Sequence, residues 1–142
     1  MVKTNFEREF TELISKMVSL GLELPRVEVD EVYIYGSMEK STTSFNGFFR
    51  IGDEIKTTKW VTDSQKDIFN FLDLGLSDLD DFITLLKRYN NPVPTELKLR
   101  YNVHTNKFEI SYKYEPVCTS KTGLTSHDVL YAWIEEEQRK LR

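Results

Sequence analysis

The sequence predicts an α+β fold in which a five-stranded antiparallel sheet packs with helices, in the order α-β-β-β-α-β-β-α. Two observations support this order. Apolar residues recur at helical spacing near both ends and in the middle of the chain, and they alternate with polar residues in two groups of short segments. Such a pattern is typical of an α+β sandwich, and the simplest arrangement places the helices on one face of the sheet. A chain of 142 residues is expected to form a single domain, residues 1–142.

The first element is a helix that begins after Thr4. Thr4 followed by Glu7 is the pattern of a capping box, in which side chains satisfy the free N–H groups of the first turn. Gly21 occupies the position expected for a glycine just past a helix end, and Pro25 prevents the helix from resuming. The apolar face of this helix comprises Phe6, Phe10, Leu13, Ile14, Met17 and Val18.

Three strands are predicted next, in segments 32–38, 45–51 and 54–60. Gly52 precedes the third strand and suits a type II′ hairpin, because the first central position of that turn requires a positive φ. The strands carry aromatic residues of the kind that RNA-binding sheets use for stacking. Because the surrounding sequence is acidic, we expect these rings to pack beneath helices instead. They are Tyr33, Tyr35, Phe48 and Phe49.

Two helices are predicted in the middle of the chain, separated by Gly75. The first covers residues 63–74, and the second is capped by Ser77 and ends near Tyr89, before a segment rich in asparagine and proline. The buried residues of the shorter helix are expected to be Ile68, Phe69, Phe71 and Leu72. Those of the second helix are expected to be Leu79, Phe82, Ile83, Leu86 and Tyr89.

A second hairpin and a last helix complete the fold. Segments 97–103 and 108–114 alternate cleanly, which is typical of a hairpin with one face in the core and one in water. Asn106 in the turn between them can adopt the left-handed conformation. The last helix covers residues 126–141, with Asp128 in its first turn and basic residues near its end, where each sign of charge favours the helix dipole.

Composition excludes several classes of protein. No apolar segment approaches the length of a membrane span, and the N-terminus is too charged for a signal peptide, so we expect a cytoplasmic protein that does not bind membranes. The net charge of −4 argues against nucleic acid as a partner. The charge is uneven, because residues 1–81 carry a net −7 and residues 82–142 a net +3. Such asymmetry concerns binding partners rather than the fold.

Candidate catalytic residues are few. His104 and His127 have no partner at metal-ligand spacing, and we expect both to lie in solvated loops or at a helix start. Cys118 lies in an irregular segment, and a lone thiol is more often inert than nucleophilic. No phosphate-binding loop, dinucleotide-binding fingerprint or hydrolase motif is present. The sequence therefore predicts no catalytic residue, no metal site and no cofactor, although an unrecognised pair of carboxylates in a sheet cleft remains an alternative.

The strongest functional signal is a cluster of acidic residues. Six aspartates and one lysine lie between residues 63 and 81. Asp78, Asp80 and Asp81 would stabilise the dipole of a helix that begins at Ser77, but the same explanation suits Asp63, Asp67 and Asp73 less well. If the acids converge, also with Glu28, Asp30, Glu31, Asp53 and Glu54, they would present a negative surface to a basic partner. The candidate contact residues are Asp67, Asp73, Asp78, Asp80, Asp81 and Trp60, where Trp60 is either an exposed anchor or a core residue.

The sequence resembles the YezG-like family of small bacterial immunity proteins between about residues 27 and 137. The similar segments are Val32-Tyr33-Ile34-Tyr35-Gly36, Phe45-Asn46-Gly47-Phe48-Phe49, the acidic helix 79–89, and Lys107-Phe108-Glu109-Ile110-Ser111-Tyr112-Lys113-Tyr114-Glu115. The final helix departs from the family pattern. The resemblance implies a cytoplasmic antitoxin that is not an enzyme and that binds, one to one, the C-terminal domain of a secreted toxin, often a nuclease. The alternatives are an adaptor or chaperone for a secreted substrate and a small enzyme.

Overall fold

The computed structural model describes residues 4–39, 42–118 and 122–142, and it confirms the predicted α+β fold. The counterparts of the predicted elements follow the order α-β-β-β-α-β-β-α, with one additional short helix. The elements are α1 (Asn5–Glu23), β1 (Glu31–Glu39), β2 (Thr42–Ile51), β3 (Glu54–Thr57), α2 (Thr58–Val61), α3 (Gln65–Arg88), β4 (Glu96–Asn102), β5 (Phe108–Lys113) and α4 (Ser126–Lys140). Within these ranges, no helix is long and apolar enough to cross a membrane.

All five strands form one antiparallel sheet in the order β3-β2-β1-β4-β5, with β1 at its centre. The register places Tyr33 of β1 between Phe48 of β2 and Arg100 of β4. Hairpin connections join β1 to β2, β2 to β3 and β4 to β5. The two outer strands are therefore β3 and β5, and they leave one edge each at opposite sides of the sheet.

Helices cover both faces of the sheet, so the expectation that they lie on one face was wrong. We call the face under α1 and α3 the first face and the face under α4 the second face. Each of the nine residues of β1 is buried, because its alternate side chains enter two different cores. Val32 and Ile34 belong to the core beneath α1 and α3, while Tyr33 and Tyr35 belong to the core beneath α4.

The core on the second face is built around stacked aromatic rings. The Tyr33 ring stacks on Phe48 with centroids 4.4 Å apart, and the Trp133 ring of α4 meets Phe48 edge-on at 4.8 Å. Tyr33, Tyr35, Phe48 and Phe49 are each at most 2% exposed, which confirms that these rings pack beneath helices. Burial also raises the pKa of the Tyr33 hydroxyl to about 12.

The first helix begins as predicted and ends later than predicted. The Thr4 side chain accepts a hydrogen bond from the Glu7 backbone N–H, which confirms Thr4 as the N-cap. Gly21, however, does not end the helix but is buried inside it, facing β1. A Cβ atom at Gly21 would overlap a methyl group of Val32 and lie 3.3 Å from Ile34, so the glycine allows the helix to approach the sheet.

The two helices predicted in the middle of the chain are one continuous helix, α3, and the break predicted at Gly75 was wrong. Ser64, not Ser77, caps this helix and accepts a hydrogen bond from the Asp67 N–H. Gly75 is buried against the sheet: a Cβ atom there would lie 2.5 Å from Cγ of Phe45 and closer to two other ring carbons. The glycine reflects close packing of helix and sheet rather than a turn.

The third strand is shorter than predicted. Gly52 has the positive φ that the hairpin requires, +61°, and the strand after it ends at Thr57. Residues Thr58–Val61 then form the short helix α2 in place of the end of the predicted strand. Trp60 therefore projects from a helical turn between the sheet and α3.

The second hairpin and the last helix agree with the prediction in outline. Asn106 has the expected left-handed conformation, with φ of +59°, and α4 starts after Thr125 with a complete capping box to Asp128. The predicted clean alternation of the hairpin is only partly present. Lys98 and Arg100 were expected in water but are half-buried, because α4 lies beside them on the second face.

Candidate functional site

The exposed side of α3 carries acidic and apolar residues together. Asp73 and Asp80 are seven residues, or about two turns, apart, so both lie opposite the side that packs on the sheet. Asp81 is exposed beside Asp80, while Phe69 and Leu74 are exposed by 68% and 52%. We call these five residues the α3 outer surface.

The helix dipole does not explain the acids of this surface. Because α3 starts at Gln65, Asp78, Asp80 and Asp81 lie roughly four turns beyond the N-cap instead of in a first turn. The stabilising effect of a helix dipole on an acid fades within the first turn. The prediction that Ser77 starts a helix was wrong, and the structural explanation that it supplied for these three residues fails with it.

Asp63 and Asp67, in contrast, have local structural partners. Asp67 is in the first turn of α3 and lies 3.1 Å from the Arg26 guanidinium. Asp63 lies 3.9 Å from the same side chain and is almost fully exposed. Asp67 was predicted to contact a partner, but the structure places it about 9 Å along the helix axis from Asp73 and pairs it within the chain. We therefore leave it out of the α3 outer surface.

Asp78 lies at the margin of the surface, facing α1. It is half-buried, and burial raises the pKa of its carboxyl above the usual value, with a further contribution from the nearby Asp81. The Lys16 ammonium of α1 opposes this rise. Asp78 and Lys16 line an open groove between α1 and α3 together with Leu74. This aspartate therefore interacts across the helix pair more than it faces outward.

The remaining acids of the surface are free to meet another molecule. Within residues 4–39, 42–118 and 122–142, no lysine, arginine or histidine lies within ion-pair distance of Asp73, Asp80 or Asp81. Basic residues occur on α3 towards its two ends, with Lys66 in its first turn and Lys87 in its last. The outward-facing side of the middle of α3 is therefore negatively charged and exposed to solvent.

Two aromatic residues behave differently from the sequence-based expectation. Phe69 was predicted to be buried, but it lies about 200° around the helix from the buried Phe71 and is exposed. Trp60 is 66% exposed, which settles its position in favour of an exposed ring over a core residue. The Lys56 ammonium lies 5.0 Å from the centre of the Trp60 ring. Trp60 belongs to α2, so it is not part of the α3 outer surface.

The other acids of the N-terminal half do not join the surface, because they lie on other elements, and several of them have partners there. Asp30 lies 2.6 Å from the His104 ring and accepts a hydrogen bond from the Gly52 N–H, and these contacts lower the pKa of the Asp30 carboxyl. His104 was expected to be only solvated, but it is also paired in this way. Glu54 pairs with Lys56 at 2.9 Å. The convergence of all the acids in space was therefore wrong.

Glu31 belongs to a buried network of charges on the second face. Its carboxylate lies 2.9 Å from Arg50 and 2.6 Å from Arg100, and Arg100 also lies 3.1 Å from Glu137 of α4. Burial raises the pKa of Glu31, but the hydrogen bonds from Arg100 and Arg50 outweigh it and the net shift is downward. Of this network, Arg100 and Glu137 line a groove of about 290 Å³ beside α4. The charges of the network neutralise one another and fasten α4 to the sheet.

Cys118 has an environment that opposes nucleophilic reactivity. Burial and the Glu39 carboxylate raise the pKa of the Cys118 thiol to about 11, whereas an attacking thiolate needs a lowered pKa. The Glu39 carboxylate accepts hydrogen bonds from the backbone N–H groups of Val117 and Cys118, both at 2.8 Å. This carboxylate therefore anchors the segment that leads towards α4. Among the described residues, no group of three or more histidine, cysteine or acidic side chains is placed to hold a metal ion.

Comparisons with known proteins add no relative. A scan against protein-family models finds no match for the chain, and a search of curated proteins finds no significant match. The resemblance to the YezG-like family therefore stays a prediction from the residues quoted above.

Proposed function

We propose that this protein is a cytoplasmic immunity protein that binds and neutralises the C-terminal domain of a cognate secreted toxin, with one toxin domain per chain. The observation that carries the proposal is the α3 outer surface, where Asp73, Asp80 and Asp81 are exposed and unpaired within the described residues. No ion pair within the described residues uses these three acids, and they are too far from the helix N-terminus to stabilise its dipole.

The composition of the surface suits a basic protein partner. Nuclease domains are commonly basic because they bind phosphates, and an acidic inhibitor gains both faster association and a blocked substrate site. Phe69 and Leu74 are exposed beside the acids, and buried apolar anchors surrounded by polar groups are typical of binding interfaces. Trp60 is a further candidate anchor on the neighbouring α2. No nucleic acid or membrane partner is part of this proposal.

The geometry favours this role over a small enzyme. Cys118 has a raised pKa, and Glu136 and Glu137 in the groove beside α4 are paired with arginine or lysine side chains. An attacking thiolate needs a lowered pKa, and carboxylates held in ion pairs already have their oxygens occupied by partners. We therefore propose a binding protein without catalytic activity, cofactor or metal.

The first test is neutralisation in cells. The toxin domain encoded by the neighbouring open reading frame would be expressed with and without this protein, and growth and co-purification measured. We expect rescue of growth and a complex with a one-to-one ratio. Binding that persists after the C-terminal domain of the toxin protein has been deleted would instead indicate an adaptor, and no binding to either form would refute the proposal.

A pair of matched variants tests the surface itself. The surface variant carries Asp73→Asn, Asp80→Asn and Asp81→Asn, and the control carries three neutralised acids elsewhere. The control positions are Glu28→Gln, Asp53→Asn and Glu135→Gln, all exposed. Both variants have the same net charge. At low salt we expect the association rate of the surface variant to fall about tenfold, since steering accounts for factors of about 10–1,000, and the control to change little. Equal effects in the two variants would show that the α3 outer surface is not the contact.

A further inference from the structure

The two outer edges of the sheet differ in how they are covered. At the β3 edge, the Gln138 side chain of α4 accepts a hydrogen bond from the Ile55 N–H at 2.8 Å and donates one to the Asp53 carbonyl at 3.0 Å. An amide side chain thus takes the place of a neighbouring strand. At the β5 edge, no hydrogen bond of this kind joins a side chain of the described residues to an outward-facing backbone group, although α4 lines a groove beside β5. The unpaired backbone groups of an open edge can pair with a strand of another chain, and folded proteins usually cover or disrupt such edges.

The backbone N–H and C=O groups of successive β5 residues point alternately towards β4 and away from it. The carbonyl of Lys107 accepts a hydrogen bond from Asn102 at 2.9 Å, and that of Lys113 accepts one from Thr95 at 2.7 Å. The Thr95 hydroxyl also donates to the carbonyl of Glu115 at 2.7 Å, so the extended chain continues beyond the end of β5. Since the pattern of an antiparallel pair alternates, the polar backbone groups of the even-numbered residues point outward. These residues are Phe108, Ile110, Tyr112 and Tyr114.

We infer that a second copy of this chain pairs with the β5 edge, antiparallel and centred on Ser111. In this register each charged residue of one copy meets a residue of opposite charge in the other. Lys107 lies opposite Glu115, and Glu109 lies opposite Lys113, so the symmetric pair contains four such matches. The even-numbered residues also match, with Phe108 opposite Tyr114 and Ile110 opposite Tyr112.

Backbone geometry and charge select the same register. Phe108 and Tyr114, like Ile110 and Tyr112, are residues whose backbone groups point outward, so each of these pairs can exchange hydrogen bonds. A shift by two residues in one direction places Lys107 opposite Lys113. The same shift in the other direction places Glu109 opposite Glu115. Like charges directly opposite each other are destabilising, so of these three registers only the one centred on Ser111 is free of like-charge pairs.

Burial of exposed aromatic rings accompanies this pairing. Phe108 and Tyr114 are each 54% exposed in the single chain, and both lie at the open edge. In the paired arrangement Phe108 of each copy packs against Tyr114 of the other, and the two sheets form one continuous ten-stranded sheet. Interfaces of a single strand pair are small, and small interfaces belong to weak, concentration-dependent complexes. The dimer is therefore expected to dissociate at roughly micromolar to submillimolar concentration.

Complementary charge variants test the register directly. An acidic-edge variant carries Lys107→Glu and Lys113→Glu, and a basic-edge variant carries Glu109→Lys and Glu115→Lys. All four positions are exposed, but within the chain Glu109 lies opposite Arg100 and Lys113 lies opposite Glu96. Circular dichroism of each variant is therefore compared with that of the wild type, and single substitutions at Lys107 and Glu115 are used if the double variants do not fold. In either variant alone, like charges face each other at every charged position. In an equal mixture, each acidic edge meets a basic edge and the opposite-charge pairs are restored.

Sedimentation equilibrium of the full chain and its variants provides the measurement. We expect the wild-type chain to dimerise, each variant alone to associate at least tenfold more weakly, and the mixture to form a heterodimer of near wild-type affinity. Controls of equal charge change away from the edge are Lys66→Glu with Lys87→Glu, and Glu28→Lys with Glu135→Lys. These should dimerise like the wild-type chain.

Three results would overturn the inference. One is a wild-type chain that stays monomeric up to about 1 mM, beyond the range expected of a small interface, which would leave the edge to a strand of another protein. Another is a pair of edge variants that dimerise as well as their controls, and the last is a mixture that fails to associate. The outcome is independent of the proposed toxin binding, because the α3 outer surface and β5 are separate elements. An immunity protein that dimerises through β5 still presents one α3 outer surface per chain.

Discussion

Replacing Gly75 by alanine tests whether the glycine lets the helix touch the sheet. If Gly75 lay on an exposed side of the regular helix, alanine would stabilise the protein. In a helix interior alanine is favoured over glycine by about 1 kcal/mol. In the structure, however, the added Cβ would lie 2.5 Å from Cγ of Phe45 and closer to other ring atoms.

The size of the expected destabilisation depends on how far the Phe45 ring can move. Its ring is 5% exposed and packs edge-on against Phe71 with centroids 5.3 Å apart, so α3 and β2 must move apart instead. Overpacking of a tight core costs about 1–3 kcal/mol, and the upper end applies where the clash involves the root of a side chain. After subtraction of the gain in helix propensity, we expect Gly75→Ala to lower the free energy of unfolding by about 2 kcal/mol.

Urea denaturation monitored by circular dichroism measures the free energy of unfolding. A decrease of about 2 kcal/mol corresponds to a fall in Tm of roughly 4–8 °C for a chain of this size. Ser77→Ala, on the exposed side of the same helix, is the control and should change stability by less than about 0.5 kcal/mol. Phe45→Leu should tolerate Gly75→Ala better than the wild-type background does, since the smaller side chain can move aside. A Gly75→Ala variant as stable as the wild type, or more stable, would refute the close approach of α3 to β2.

Three further predictions concern buried groups. Arg100→Leu removes the cation shared by Glu31 and Glu137 and should lower the free energy of unfolding, measured by urea denaturation, by about 3 kcal/mol. This is the lower end of the range for broken buried ion pairs, because other cations still contact both carboxylates. The folded state lowers the pKa of Glu31 below 4.5, so its ionised form contributes stability above pH 4.5 that is lost as the pH falls through the folded-state pKa. The stability difference between wild type and Glu31→Gln should shrink over that acidic range, and a constant difference would contradict this reasoning. Cys118, whose pKa is raised from 9.0 to about 11, should react with iodoacetamide at pH 7 about a hundredfold more slowly than an unperturbed thiol, and rapid labelling of the folded protein would contradict its assigned environment.

Most of the fold could be predicted from local patterns. The N-cap at Thr4, the positive φ at Gly52 and Asn106 and the start of α4 after Thr125 all follow from chemistry within a few residues of each position. The glycines inside helices could not be read in the same way. Gly21 and Gly75 satisfy the local rule for a helix end or break, but each is required by a strand distant in sequence that comes close in space.

The candidate site could be predicted only in part. Asp73, Asp80 and Asp81 were among the predicted contact residues and are exposed together, whereas Asp67 pairs with Arg26. Phe69 was missed, because its role depends on the phase of a continuous helix and the sequence suggested two shorter ones. The phase could have been found by carrying the helical period through Gly75 without a break.

By itself the sequence determined the type and order of the elements, the acidity of the segment from 63 to 81 and the scarcity of catalytic groups, because these depend on local spacing and on composition. Only the tertiary structure decided which faces of the sheet are covered, which acids are paired and which edge stays open. Trp133 fills the second face over Tyr33 and Phe48, and Arg26 neutralises Asp67, through contacts between residues far apart in sequence. Long-range packing leaves no periodic signal along the chain, so it becomes visible only once the elements are assembled.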